Sequence, residues 1–157
     1  MGAPRGEALG IDVGGLSFKA VRVRLAEDEA PEVVARARRG VGEGEHRPEG
    51  AAETLGALVE ELDPGGGLRV GVAVPGAVRA RDGVVTTAAN FPRWSDFDVG
   101  GALRSLTARR VSVGNDANLF AFAEAVGGAA RGAESCSRSP SAPVSAAAWS
   151  SAGALPR

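Results

Sequence analysis

The first 40 residues show the alternation of apolar and polar positions that is typical of β-strands. A short apolar run over 8–14 ends in glycines, which predicts a buried strand that meets a turn. In the segment 18–26, Val21 and Val23 alternate with arginines, which predicts a strand with one solvated face. A third strand is predicted over 31–40. The amino-terminal part of the chain is therefore expected to form consecutive strands.

Helical and extended patterns alternate in the following part of the chain. From Pro48 to Leu62, apolar residues recur at helical spacing, and the proline and glycines that follow end the helix. A hairpin is predicted across Asp82 and Gly83, a pair that favours a two-residue type I′ turn. The remaining elements are strands over 68–76 and 109–116, a helix that begins near residue 98, and a helix over 117–129. Strands that alternate with helices indicate an α/β layer structure with a mixed sheet.

Composition narrows the function classes. The 157-residue chain carries 18 basic and 19 acidic residues, and a formal charge of −1 gives no electrostatic basis for binding nucleic acid or an anionic membrane surface. Its one cysteine, Cys136, cannot form an internal disulfide, and the sequence shows no secretory signal and no apolar run long enough to span a bilayer. These features predict a soluble, cytoplasmic protein without nucleic-acid or membrane partners.

The stretch DVGGLSFK places an acid, two glycines and a lysine around the first predicted turn. Gly14 and Gly15 let the backbone approach a phosphate closely and present N–H donors to it. Asp12 is a suitable ligand for a hydrated Mg²⁺ ion, and Lys19 could approach a phosphate as a point charge. The alternative is a plain glycine hairpin with a solvated lysine, which turn statistics favour when the stretch is taken alone.

Two further stretches follow predicted strands, and the carboxyl ends of strands are where α/β sheets usually bind ligands. Asn115 and Asp116 lie between a strand and a helix, where a carboxylate can accept a proton from a substrate hydroxyl or simply cap the helix. The irregular segment 87–99 contains Asn90, whose amide offers the donor and acceptor that sugar hydroxyls need. Trp94 in the same segment could stack on a sugar face or cover the edge of the core.

Four stretches, in this order and at these separations, resemble the ROK family of bacterial sugar kinases and transcriptional repressors: GIDVGGLSFKA, VAVPGAV, AANFPRW and GNDANLFAFAEAVGGAARGA. The family includes ATP-dependent and polyphosphate-dependent glucokinases, fructokinases and N-acetylhexosamine kinases. The resemblance runs from Leu9 to about Glu134. It implies that residues 1–134 form an actin-like ATPase (ribonuclease-H-like) N-terminal lobe, a mixed sheet with flanking helices, and that the sugar is held between two lobes.

The resemblance also assigns roles to the candidate residues. Asp116 would be the general base that takes the proton from the 6-hydroxyl of a hexose, with glucose as the first candidate. Asn115, Asn90 and Gly76 would bind hydroxyls, while Asp12, Gly14, Gly15 and Lys19 would face phosphates and Mg²⁺. The donor of the full-length kinase would be ATP or polyphosphate, and that kinase would be a homo-oligomer. No dedicated metal ligands and no assured cofactor are assigned to the 157-residue chain itself.

Two departures from the family pattern bear on activity. Leu16 stands where the family usually has Thr or Ser, so a hydroxyl near the phosphates is missing, and the neighbouring Ser17 is the candidate to replace it. The family's second glycine-rich phosphate loop and its Glu-x-x-His segment do not occur. In their place, residues 135–157 are rich in serine and proline, which predicts disorder. We therefore expect a truncated kinase that is inactive as the 157-residue chain.

A shifted reading frame would explain the segment 135–157. If its serines use TCN codons and its arginines CGN codons, a one-base shift permits LTLGTGVGGG across residues 139–148, where the second phosphate loop is expected. The hypothesis is that an insertion or deletion between residues 134 and 136 truncated the gene of a ROK kinase. Resequencing the locus tests it, because the hypothesis requires a family-like frame downstream of codon 135.

Two other function classes compete with the kinase. A DNA-binding repressor of the same family would carry a helix-turn-helix before the first phosphate loop, and we expect none because only nine residues precede Gly10. A sugar-binding module without catalysis would use the same candidate residues. Glucose binding without turnover would distinguish this module from a kinase.

Overall fold

The structure, a computed structural model, describes residues 4–26, 31–79 and 81–127. The chain divides into two compact units, Met1–Asn115 and Asp116–Arg157. The disordered, out-of-frame tail expected over 135–157 lies outside the described residues and stays a prediction. Among the helices that the structure describes, none is long and apolar enough to cross a membrane.

The described elements follow the predicted order of strands and helices. The first unit contains β1 (Pro4–Val13), β2 (Ser17–Ala26), β3 (Glu32–Gly40), α1 (Pro48–Leu62), β4 (Arg69–Val74), β5 (Ala77–Arg79), β6 (Val84–Thr87), a 3₁₀ turn (Pro92–Trp94), β7 (Phe97–Asp98), α2 (Val99–Thr107) and β8 (Val111–Asn115); α3 (Asp116–Gly127) begins the second unit.

Five strands form the main sheet in the order β3-β2-β1-β4-β8. β2 is antiparallel to both β1 and β3, whereas β1, β4 and β8 run parallel to one another, so the predicted mixed sheet is confirmed. Because parallel strands end on the same side of a sheet, the turns after β1 and β4 and the end of β8 lie side by side. We call these segments, residues 12–16, 74–76 and 114–115, the carboxyl edge.

One face of the main sheet is buried by helices. On β1, Leu9, Ile11 and Val13 are at most 3% exposed while Asp12 is exposed, which is the period-2 alternation of a strand with one covered face. The helix α1 packs against β1, β2, β3 and α2. Its apolar stripe is buried against them, and its bounds are those that the helical spacing predicts. The members of the stripe are Leu55, Leu58, Val59 and Leu62.

The hairpin prediction is right about the strands and wrong about the turn. Arg79 pairs with Val84, so four residues connect β5 to β6 instead of the two of a type I′ turn. The Asp82 carboxylate accepts a hydrogen bond from Arg79 Nε at 2.9 Å and one from the Val84 N–H at 3.3 Å, and these bonds stabilise the wider loop. The segment expected to be irregular also contains β7, which pairs with β6 to complete a three-stranded sheet.

A buried arginine joins the end of α1 to the start of β8. The Arg109 side chain is 3% exposed, and its Nε donates to Asp63 Oδ2 at 3.1 Å while Nη1 donates to Glu60 Oε1 at 2.5 Å. Burial alone would lower the pKa of Arg109, but the hydrogen bonds to Glu60 and Asp63 outweigh burial and raise the pKa. Arg109 therefore stays charged and fixes this corner of the first unit.

Candidate functional site

The turn between β1 and β2 brings the backbone into close contact with itself. The Gly14 N–H donates to the Ser17 carbonyl at 3.1 Å, and a Cβ atom at position 14 would lie 2.9 Å from that same oxygen. A side chain at position 14 would therefore force the turn to shift. Leu16 is 87% exposed, whereas Ser17 is 3% exposed, so Ser17 does not present a hydroxyl on the surface of the turn.

Asp12 and Lys19 lie directly opposite each other on β1 and β2. Lys19 Nζ is 3.4 Å from Asp12 Oδ2, and both side chains are slightly more than half exposed. An ion pair with that exposure contributes little to stability, because water screens both charges. Either side chain can therefore give up this ion pair and bind a more highly charged partner.

Asn90 lies against the glycine turn, although the two are 75 positions apart in the sequence. A Cβ atom at position 15 would be 3.1 Å from Asn90 Nδ2 and 3.3 Å from its Cγ. A short turn holds Asn90 there, because the Phe91 N–H donates to the Ala88 carbonyl at 3.0 Å. The structure thus brings a predicted sugar-side amide next to a predicted phosphate-side glycine.

Gly76 and Asn115 link the ends of β4 and β8. Asn115 Nδ2 donates to the Gly76 carbonyl oxygen at 2.7 Å. Gly76 has φ 141°, and a Cβ atom there would lie 2.0 Å from the Thr87 carbonyl oxygen, so only glycine fits. The Asn115 side chain therefore fixes the Gly76 turn, which in turn packs on the chain that leads to Asn90.

Asp116 is the first residue of α3 and follows Asn115 directly in the chain. Its Oδ1 accepts a hydrogen bond from the Ala117 N–H at 2.8 Å. A typical N-cap side chain accepts a hydrogen bond from the N–H two or three residues later in the chain. The Asp116 carboxylate bonds to the next residue instead, so the start of the helix orients it without a standard cap. Asp116 is half-buried.

Trp94 does not offer its ring to a ligand, so the sugar-stacking interpretation is wrong. Its side chain is fully buried, and its ring stacks on Phe91 with centroids 4.4 Å apart. The indole Nε1 donates to the Glu45 carbonyl at 3.2 Å. Trp94 therefore belongs to the core, where it supports the segment that carries Asn90.

Glu45 is a structural residue of this region that sequence reasoning missed. Its carboxylate accepts hydrogen bonds from the Gly42 N–H at 2.9 Å and from Thr54 Oγ1 at 2.8 Å. The bond from Gly42, followed by the bond from Thr54, lowers the pKa of Glu45. A single acid in a polar connection gives no periodic signal, so the sequence pattern alone could not identify this role.

Similarity to known proteins identifies the family to which the chain belongs. A glucokinase of Thermotoga maritima is 28% identical to it over 142 residues, which are 82% of this chain and 39% of that protein. The crystal structure of an inorganic polyphosphate/ATP-glucomannokinase from Arthrobacter sp. strain KM is 32% identical, with a TM-score of 0.71 over 85% of this chain and 52% of that one. A ROK family glucokinase from Streptomyces griseus, in complex with glucose and AMPPNP, shares the fold at 24% identity and a TM-score of 0.71.

The chain spans 39% of the length of the Thermotoga relative and 52% of the Arthrobacter kinase. These similarities confirm the lobe expected from the resemblance, an actin-like mixed sheet with flanking helices. The model of the ROK family matches residues 8–136. Because that match covers most of its 157 residues, the protein belongs to the ROK family.

Proposed function

We propose that the chain is the amino-terminal lobe of a hexose kinase that transfers a phosphoryl group from ATP or polyphosphate to the 6-hydroxyl of the sugar. The observation that carries the proposal is the carboxyl edge, where Gly15 meets Asn90 and Gly76 is held by Asn115. Glucose is the first candidate substrate, because the Thermotoga relative is a glucokinase and the Streptomyces relative binds glucose.

The sugar side of the site consists of Asn90, Gly76 and Asn115. An Asn amide can donate to one hydroxyl and accept from another, which suits vicinal hydroxyls of a pyranose. The Gly76 turn supplies backbone groups, and the hydrogen bond from Asn115 keeps that turn in one conformation before the sugar arrives. Such fixed groups lower the ordering cost of binding.

Asp116 is the proposed general base. In the transfer, the sugar 6-oxygen forms a bond to the terminal phosphorus of the donor, and its proton passes to the Asp116 carboxylate. The bond between that phosphorus and the bridging oxygen breaks, and ADP or a shortened polyphosphate leaves with the electron pair. The hydrogen bond from the Ala117 N–H to Oδ1 orients the carboxylate for this role.

The phosphate side consists of Asp12, Gly14, Gly15 and Lys19. Within the described ranges no group of three or more His, Cys, Asp or Glu could hold a metal ion, and Asp12 is the contact proposed for a hydrated cation. A single half-exposed carboxylate fits Mg²⁺, which keeps most of its waters and takes the remaining oxygens from phosphates. When bound, Mg²⁺ neutralises donor charge, while Lys19 and the glycine backbone orient the phosphates.

A chimera tests the assignment of the base. Residues 8–127 replace the matching segment of the Thermotoga maritima glucokinase, and glucose 6-phosphate formation is measured for the chimera and two variants. Asp116→Asn should lower kcat by about 10²–10⁴-fold with little change in KM, because only proton transfer is lost. Asp96→Asn is the matched control, since Asp96 is exposed and its φ of 57° suits asparagine.

An equal kcat for the two Asp→Asn variants would contradict the assignment of Asp116. Titration calorimetry of the 157-residue chain with glucose accompanies the kinetics. Glucose binding by the chain combined with an inactive chimera would favour the sugar-binding module instead of the kinase.

A further inference from the structure

We infer that an open cleft between the β3–α1 connection and the 3₁₀ turn binds the phosphate group of a small phosphomonoester. The cleft has a volume of about 640 Å³, which lies within the range of pockets that hold small molecules. We call it the cationic cleft, and its lining residues are Glu43, Gly44, His46, Arg47, Pro92 and Arg93. The inference goes beyond the proposed function and does not depend on it, since no step of the proposed transfer takes place there.

The charge of the cationic cleft is positive. Arg47 and Arg93 outweigh Glu43, the one carboxylate among the lining residues, whether His46 is neutral or protonated. Within the part of the chain that the structure describes, neither guanidinium makes an ion pair or a hydrogen bond. Both arginine side chains are exposed, so their N–H groups are open to an anionic ligand.

Contacts between the two walls hold the cationic cleft in shape. The Trp94 indole N–H donates to the Glu45 carbonyl at 3.2 Å, and the ring centroids of His46 and Phe91 are 5.5 Å apart. These contacts join the loop that carries the imidazole and one guanidinium to the turn that carries the other guanidinium. Because the walls are joined before a ligand arrives, binding has a lower ordering cost.

The groups that line the cationic cleft suit a phosphate dianion. Each guanidinium presents a planar fork of N–H donors that matches two phosphate oxygens, and the imidazole can donate one further hydrogen bond. A phosphomonoester has three terminal oxygens to share among these donors, whereas a carboxylate has two. The volume of the cleft leaves room for the organic part of the ester as well.

The test is titration calorimetry of the 157-residue chain with inorganic phosphate, glucose 6-phosphate and glucose. We expect glucose 6-phosphate to bind more tightly than inorganic phosphate, because the cleft has room for more than the phosphate group. The double variant Arg47→Gln/Arg93→Gln should bind glucose 6-phosphate about five- to tenfold more weakly. Its fold should persist, since both side chains are exposed and Arg47 caps α1 without a side-chain hydrogen bond.

Two further variants control for charge. Arg69→Gln/Arg110→Gln removes the same charge from exposed arginines where β4 and β8 begin, which is the opposite edge of the sheet from the loop after β3, and it should leave binding unchanged. Glu43→Gln removes the acid of the cationic cleft and should strengthen the binding of inorganic phosphate about two- to fivefold.

Two measurements locate the ligand. Lys19→Gln tests the phosphate side of the proposed site as the other location, and we expect it to leave most of the binding of glucose 6-phosphate intact. In ¹H–¹⁵N spectra of the ¹⁵N-labelled chain, glucose 6-phosphate should cause saturable shifts of the backbone amides of Gly44, His46, Arg47 and Arg93.

Equal weakening in the two double variants would overturn the inference, as would loss of binding in Lys19→Gln alone. Equal affinity for inorganic phosphate and glucose 6-phosphate would overturn the assignment to a phosphomonoester. Glucose binding is measured on the same samples. If glucose binds and glucose 6-phosphate does not bind in the cleft, the inference fails and the proposed function stands; if only the cleft binds its ligand, the proposed function fails and the inference stands.

Discussion

At the scale of single residues, the contact between Gly15 and Asn90 is the most informative feature of the site. It joins the turn expected to hold phosphates to the side chain expected to hold the sugar. The backbone near a glycine can be approached closely because no Cβ atom intervenes. A methyl group at position 15 would press on the Asn90 amide, which would have to shift by a few tenths of an ångström.

We predict that Gly15→Ala weakens glucose binding several-fold while the free energy of unfolding changes by less than about 1 kcal/mol. The methyl group would lie 3.1 Å from Asn90 Nδ2, and a flexible, exposed side chain can move away at small cost to the fold. Calorimetry with glucose and urea unfolding measure the two effects. Gly44→Ala is the control, since nothing lies within 4 Å of a Cβ atom there; equal glucose affinity in the two variants would refute the role of the contact.

The sequence identified the residues of the carboxyl edge but not their contacts. Gly14, Gly15 and Asn115 were found because glycine pairs and Asn-Asp pairs after strands are local signals. The packing of Asn90 on Gly15 and the use of Asn115 to fix Gly76 depend on tertiary structure, and no local pattern encodes them. The burial of Trp94 could not be predicted from a local pattern either, because it depends on tertiary contacts with Phe91 and Glu45.

At the scale of elements, the connection between β3 and α1 holds the segment that carries Asn90. Glu45 binds Gly42 and Thr54 through its carboxylate, and its carbonyl accepts the Trp94 indole N–H. The Glu45 side chain thus ties the loop to α1, and its backbone ties the loop to the segment before β7. A change at this one residue is therefore expected to alter the stability of the first unit.

We predict that Glu45→Gln lowers the melting temperature at neutral pH and that the difference from the unsubstituted chain disappears in acid. Folding lowers the pKa of Glu45, so its stabilising effect is complete above its ordinary value of 4.5 and is lost as the pH falls through the lower value of the folded state. Thermal unfolding between pH 7 and about pH 3 measures this.

Glu43→Gln is the control for that series, because Glu43 lies in the same loop and is exposed. It should follow the unsubstituted chain at every pH. A difference between Glu45→Gln and the unsubstituted chain that stays constant down to the acid end would contradict the role of the Glu45 carboxylate.

Elements with strong periodicity were predicted well, and their connections were not. The bounds of α1 agree with the spacing of its apolar residues because that spacing decides which face is buried. The prediction of a two-residue turn after β5 was wrong. Asp82 accepts hydrogen bonds from Arg79 and Val84, which hold a longer loop than an Asp-Gly pair usually forms. β7 has only two residues, too few for any alternation to show.

At the scale of the whole molecule, the order of elements along the chain was predicted from the pattern, but their order in space was not. Periodicity indicates strands and helices and leaves open which strands are neighbours. The family resemblance predicted a mixed sheet with flanking helices, which the comparisons confirm, and the structure adds the strand order β3-β2-β1-β4-β8. That arrangement places three strand ends side by side, and the proposed function depends on it.

We infer that a hexose binds at the carboxyl edge. Titration of the ¹⁵N-labelled chimera with glucose, followed residue by residue in ¹H–¹⁵N spectra, is the decisive measurement. We predict saturable shifts of the backbone amides of Gly15, Gly76, Asn115 and Asp116 and of the Asn90 side-chain amide. Shifts confined to other parts of the chain, or no saturable shift at all, would contradict it.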